Sequence, residues 1–153
     1  MTIAARLTEL GIALPTPAKP VANYVPYVIT GNLVVVSGQI PLKDGKIAFT
    51  GKLGDQCTAE SGIEAAKLCF INVLAQLQDA CGGDLGRVRR VVRLGGFIAC
   101  TAEFTAHAQV MNGASDLAVA VLGDAGRHAR STIGVPSLPM DASVEVEGMF
   151  EIA

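Results

Sequence analysis

The sequence predicts an α+β domain in which two helices pack on one face of a mixed sheet, preceded by a short N-terminal helix. Three observations point there. Between Thr58 and Cys81, Ile63, Ala66, Phe70, Val73, Leu74 and Leu77 recur at three- and four-residue spacing, one apolar stripe along a helix. At the other end of the chain, Val144, Val146, Phe150 and Ile152 alternate with Glu145, Glu147 and Glu151, the period of a strand with one covered face. The order of such segments is strands, helix, strand, helix, strands, which fits one layer of helices on a mixed sheet.

Residues 2–11 read as a short helix closed by Gly11. Pro15, Pro17 and Pro20 then enforce an extended linker, since proline cannot continue a helix. Runs at Tyr24–Thr30 and Leu33–Gly38, separated by Gly31-Asn32, read as a hairpin. Lys43-Asp44-Gly45 makes a turn into a weak strand over Lys46–Phe49. Thr58 is placed to cap the long helix, and Gly82-Gly83 stop it. Asp84 then caps a short turn before a Val/Ile-rich strand over Val88–Cys100, where Gly95-Gly96 suggest a bulge or the close approach of another backbone. A second long helix over Glu103–Leu122 ends at Gly123, and the last strands are Ala129–Val135 and Ser143–Ile152. No internal repeat or low-complexity stretch interrupts this order.

The chain has 153 residues, a length that suits one core. Half of them are hydrophobic, only 17% are charged, and the formal net charge is −2. Mean hydropathy is +0.44. Soluble domains carry about 25% charged residues, so this surface is expected to be covered by further copies of the chain. A spanning helix is not expected, because apolar runs such as Leu33-Val34-Val35-Val36 fall far short of the ~20 residues required. Nucleic-acid binding is not expected either. No basic run exceeds Arg89-Arg90, Trp is absent, and two Tyr and five Phe offer no evident stacking platform.

Met1–Leu14 carries Arg6 and Glu9 and no apolar core before a small-residue cleavage site, so no secretory signal is expected. Cys57, Cys69, Cys81 and Cys100 form no C-x-x-C pair and read as free thiols in a reducing cytoplasm.

Several motifs fail on spacing. Gly45–Lys52 has five residues between its glycines and Leu53 where a phosphate loop needs Ser or Thr. Gly82-Gly83-Asp84-Leu85-Gly86 lacks dinucleotide-loop spacing, and no G-x-S-x-G elbow supports a serine nucleophile. His107 and His128 lie 21 residues apart without ligands at metal spacing, so no metal and no cofactor are expected. The informative residue is Arg130. It sits inside an otherwise apolar strand pattern, where a guanidinium is costly unless something anionic answers it. Two answers stand open: an ion pair with Glu145 or Glu147 on a neighbouring strand, or a bound carboxylate gripped by the planar fork.

Tyr24, the run Gly31-Asn32-Leu33-Val34-Val35-Val36-Ser37-Gly38-Gln39-Ile40-Pro41, then Ala129-Arg130-Ser131, Leu138-Pro139 and Val144-Glu145-Val146-Glu147 follow one another as in a known family. In these parts the chain resembles the YjgF-like, reactive-intermediate deaminase (RidA) family, over about 85% of its length. The N-terminal helix and proline linker over 1–22, with the Asn112–Asp116 helix and the Gly123–Arg127 loop, resemble a longer branch labelled endoribonuclease L-PSP-like. The resemblance implies a chorismate-mutase-like fold over residues 23–153, with 1–22 as a helix and proline-rich extension. It also implies a homotrimer with clefts between subunits, needing no cofactor or metal.

The activity implied is hydrolysis of small 2-imino or enamine acids, such as 2-iminobutanoate, to 2-keto acids and ammonia. By the same resemblance Arg130 clamps the substrate carboxylate, and Glu145, fifteen residues on, orients the water. Tyr24, Ser37, Gly38, Ser131 and Thr132 line the cleft. His128 and Glu147 are further candidates, the first for proton transfer and the second as the acid paired with Arg130 when no ligand is bound.

Two departures stand out. Thr132 replaces a cysteine common after A-R-S, and Gly134-Val135-Pro136-Ser137 replaces a more charged stretch before L-P. A non-catalytic trimer that binds a small carboxylate and regulates a partner is the alternative. An endoribonuclease or translation inhibitor ranks lower, since an acidic trimer would repel RNA.

Overall fold

The computed structural model describes residues 1–19 and 22–153; the expected linker proline Pro20 lies outside them. The chain begins with α1 (Ile3–Glu9), whose first turn is capped by the Thr2 hydroxyl accepting from the Ala5 N–H. The hairpin follows as β1 (Tyr27–Thr30) and β2 (Leu33–Gln39), turning at Gly31 with φ +58°. The first of these strands starts three residues later than expected. Pro26 has no N–H for the ladder, though its carbonyl still accepts from Ser37. The weak strand at 46–49 shrinks to β4 (Lys46–Ile47), paired with β3 (Leu42–Lys43).

Helix α2 (Ala59–Ala80) is capped as predicted, with the Thr58 side chain accepting from the Ser61 N–H at 3.1 Å. Asp84 caps a short 3-10 turn into β5 (Val88–Ala99). Helix α3 (His107–Leu122) starts four residues later than the sequence suggests. The intervening chain is held in a turn, with the Thr101 N–H on the Leu53 carbonyl and the Phe104 side chain packed on the core. Strands β6 (Ala129–Val135) and β7 (Val144–Ile152) complete the order.

Among the described residues, five strands form one sheet in the order β1-β2-β7-β5-β6, parallel only between β5 and β6. Helices α2 and α3 pack on each other and on one face of it. Phe70, Leu74 and Leu77 of α2 meet Val34, Val36, Val146 and Phe150 there, all buried. Burying a Leu, Val or Phe side chain contributes roughly 1.5–3 kcal/mol, so this layer dominates stability. The opposite face carries no helix among the described residues, and Val28, Val35 and Ile133 stand exposed on it. No helix among the described residues is long and apolar enough to cross a membrane.

Gly95 and Gly96 form no bulge and meet no other backbone. A Cβ at Gly96 would lie 2.5 Å from the Met111 sulfur, and one at Gly95 would lie 2.8 Å from Glu147 Cγ. The glycines make room for side chains arriving from above and beside the strand. The irregularities fall elsewhere: in β5 between Val88 and Arg90 and between Val91 and Arg93, and in β2 between Val36 and Gln39.

The N-terminal helix is part of the packed body. Leu7 is buried in the core, Arg6 Nη1 donates to the Val121 carbonyl of α3 at 3.4 Å, and Ile12 and Leu14 pack against the core. Beyond them the chain runs along α2. There Gln76, itself 1% exposed, donates from Nε2 to the Ala18 carbonyl at 2.7 Å.

Candidate active site

The irregularity in β2 sets up the site. Val36 pairs with Gly148 and Gln39 with Val146, so two residues of β2, Ser37 and Gly38, face one of β7. Such a bulge bends the strand and redirects what lies beside it. Gly38 thereby comes under the Glu145 side chain. A Cβ on residue 38 would sit 2.7 Å from Glu145 Oε2, so glycine alone leaves the carboxylate in place. Glu145 belongs to the β7 residues facing away from the helices, alternating with buried Val144 and Val146.

Together with Ala18, Lys19, Tyr24, Gln39 and Met140, these residues line a cleft of about 210 Å³. Each wall is fixed by its own bonds. The Ala18–Lys19 segment is held by Gln76. Gln39 is pinned by Nε2 donating to the Ser37 carbonyl at 2.9 Å. Asn72 of α2 donates to the Ile40 and Leu42 carbonyls at 3.1 and 3.0 Å. Met140 forms the rim, and it and Asp141 both stand at φ +58°, a left-handed conformation that L-residues adopt at a cost. The Gly51 N–H on the Asp141 carbonyl and the bridge between Thr50 and Ala142 hold that loop. The exposed Met140 side chain stands beside the opening.

Burial pushes the Glu145 carboxyl above its ordinary value, and the like charge of Glu147 adds to the rise. A carboxyl poised this way can both hold a water and take its proton. The stability consequence has a definite sign. With the folded value above the unfolded one, the native state binds the extra proton in the window between them. The contribution is therefore complete below the unfolded value, about 4.3, and is lost as pH rises through the folded value. Glu145→Gln should accordingly raise the Tm at pH 7, and the gain should shrink as pH falls towards 4. Thermal melts across that range check it. A variant less stable than wild type at pH 7 would show that the carboxylate is held favourably.

Arg130 does not reach this cleft. Its Nη1 donates to Asn112 Oδ1 at 2.9 Å and Ser115 Oγ at 3.0 Å, and Nη2 donates to the Ala108 carbonyl at 3.3 Å, all on α3. It therefore lies on the helix side of the sheet. Glu145 lies on the opposite side, with β5 between them: Arg130 pairs with Leu94 and Glu145 with Phe97. Neither ion pair expected for Arg130 forms, because both glutamates share the far face. Glu147 lies 3.7 Å from Arg93 instead. The guanidinium is answered by neutral oxygens, which tie the edge strand β6 to α3.

His128 joins that cluster rather than the cleft. A carbonyl can only accept, so Nδ1 carries the proton donated to Gly126 O at 2.6 Å, and Nε2 accepts from the Ser115 hydroxyl at 2.9 Å. Ser37 lies beside the cleft but spends its hydroxyl on the Val25 carbonyl at 2.7 Å. Ser131 is exposed on the open face of β6, and Thr132, on the Arg130 side, keeps a buried hydroxyl without a hydrogen-bond partner among the described residues. The structure thus brings Tyr24, Gly38 and Glu145 together and leaves Arg130, Ser131, Thr132 and His128 away from them. A cation, Lys19, lines the cleft, and no motif in the sequence marks it; no acidic side chain among the described residues lies within 4 Å of it. Among the described residues no group of three or more His, Cys, Asp or Glu side chains could hold a metal ion.

A family model described as "YjgF/chorismate mutase-like, putative endoribonuclease" matches residues 4–151. Protein TCP17 of Trypanosoma cruzi is 46% identical over 151 residues, covering 98% of this chain and 94% of that protein. Among solved structures, the Agrobacterium tumefaciens protein Atu1372, of unknown function, is 50% identical. That match covers 99% of this chain and 92% of the other, with a TM-score of 0.93. A "putative endoribonuclease" from Shewanella oneidensis is 36% identical over 99% of this chain and 100% of the other, with a TM-score of 0.96.

Proposed function

The chain belongs to the YjgF/chorismate mutase-like family, and on that premise we propose that it hydrolyses small 2-imino acids to 2-keto acids and ammonia at the cleft around Glu145. The observation that carries this reading is the Glu145 carboxyl, held over Gly38 inside a small cleft with its proton affinity raised. Imine hydrolysis needs a water held against the C=N carbon and a group that moves a proton. Glu145 accepts a proton from the attacking water as the C–O bond forms. It returns that proton to the nitrogen to give the carbinolamine, then takes the carbinolamine hydroxyl proton and delivers it to the nitrogen as the C–N bond breaks, the C=O bond forms and ammonia leaves.

Lys19 supplies the charge that holds the substrate carboxylate, and Tyr24 and Met140 flank its side chain. The endoribonuclease in the family description gains no support from charge, since 12 Lys and Arg stand against 14 Asp and Glu. His107 and His128 lie at opposite ends of β6, too far apart to act on one phosphate.

The test is competition with semicarbazide for imine released by an amino-acid oxidase. Lys19→Ala should raise KM about tenfold with little change in kcat, the loss of one charge-assisted contact. Arg130→Ala should keep KM and lower the Tm by a few degrees, since it loses only the α3 clamp. The reverse pattern would place the carboxylate on Arg130, contributed by a neighbouring subunit.

The same reading includes a homotrimer that covers the open sheet face. Val28, Val35 and Ile133 are 52%, 39% and 53% exposed there, apolar side chains that a neighbouring copy would take out of water. Ile133→Asp should lower the assembly mass measured by light scattering; an unchanged trimer would remove this face from the interface.

A further inference from the structure

We propose that Cys100 and His107 form a second, nucleophilic centre, separate from the Glu145 cleft, which accepts activated acyl groups from small esters or thioesters. The pair lies in an open pocket of about 370 Å³ at the C-terminal ends of β5 and β6, walled by Thr101, Phe104, Val135 and Pro136. It shares no lining residue with the Glu145 cleft.

The Cys100 sulfur lies 3.4 Å from His107 Nε2. For Nε2 to accept the thiol proton, the ring takes its Nδ1–H tautomer. The arrangement is held from three sides. The Cys100 N–H donates to the Val135 carbonyl at 3.1 Å. The Phe104 ring meets the imidazole edge-on, with centroids 5.3 Å apart. Gly134 opens the floor: a Cβ there would lie 2.6 Å from Nε2 and 2.7 Å from the sulfur. Any other residue would push thiol and base apart.

His107 is also the first residue of α3, and Ala106 before it provides no side-chain cap. The backbone N–H groups of 107–109 have no acceptor among the described residues. Free N–H groups at a helix start favour negative charge, which is what an acyl transfer generates on its carbonyl oxygen. None of the other thiols has an imidazole beside it. Cys69 and Cys81 are buried, and Cys57 donates to the Thr50 carbonyl at 2.8 Å. Burial raises the Cys100 thiol above its ordinary value, so at rest it is protonated and attack depends on His107.

The step balances without a further reactant. The thiol proton passes to His107, the sulfur bonds to the acyl carbon, and the bond to the alkoxide or thiolate leaving group breaks as that group takes the proton. Water then adds to the thioester, delivering a proton back to the sulfur and releasing the acid.

p-Nitrophenyl acetate tests this on the unmodified chain. Wild type should release a burst of one p-nitrophenolate per chain, and peptide mass mapping should find the acetyl group on Cys100. His107→Gln should slow the burst about tenfold or more. Cys57→Ser should leave it unchanged, with circular dichroism confirming that each variant is folded. Acetylation spread over Cys57 and lysines, or a rate unmoved by His107→Gln, would overturn the proposal. The mapping on wild type decides even if a Cys100 variant fails to fold.

Discussion

Glu145→Gln should lower kcat for imine hydrolysis by about a hundredfold or more while leaving the fold intact. General acid–base groups contribute ~10²–10⁴ to rate, and the amide keeps the size of the carboxyl while losing the proton transfer. The fold should survive because Glu145 sits on the open face, outside the packed layer of Phe70, Leu74 and Phe150. The variant also relieves a partly buried charge, so the same molecule should be more stable and nearly inactive. Loss of activity with loss of stability would mean that the carboxylate is structural. Steady-state kinetics beside a thermal melt separates the two. Gly38→Ala probes the same carboxylate from beneath: a methyl there would displace Oε2 and lower kcat without touching Lys19.

Gly113→Ala should destabilise the protein by about 3 kcal/mol, against the usual direction for such a change. In an open helix, alanine is favoured over glycine by roughly 0.5–1 kcal/mol. Here a Cβ would stand 2.1 Å from the Ile63 carbonyl oxygen of α2. That atom is backbone, so it cannot swing aside as a side chain would. The two helices must separate, and with them the contacts of Val110 and Met111 in the buried layer. Urea unfolding checks the prediction. A midpoint equal to or above that of wild type would mean that the crossing of α2 and α3 is looser than the geometry requires.

The same glycine shows what a single sequence conveys. Its position in α3 was readable from helical spacing, but its contact with Ile63 was not, because packing partners lie far apart along the chain. The ends of α2 were legible, since Thr58 and Gly82-Gly83 act locally. The start of α3 was not, because the turn before it is set by a bond from Thr101 to the distant Leu53.

The candidate site divides in the same way. Period-two alternation placed Glu145 on the face opposite Val144 and Val146. Alternation also puts Arg130 and Thr132 on one face of β6, yet it cannot say which face the helices cover. A clue was present: Asn112 and Ser115, three residues apart on a largely apolar helix, are the two side-chain oxygens that Arg130 meets. Lys19 left no comparable trace. It belongs to a proline-flanked linker, and only the Gln76 bond to Ala18 shows that this segment walls the cleft.

The most direct measurement is the fate of freshly released 2-iminobutanoate in semicarbazide, followed as semicarbazone with increasing amounts of wild-type protein and, in parallel, of Glu145→Gln. Wild type should suppress the semicarbazone signal in proportion to its concentration and release an equivalent of ammonia, while the variant should leave the signal near that of the protein-free reaction. Equal suppression by both proteins, or by neither, would contradict a hydrolytic cleft built on Glu145.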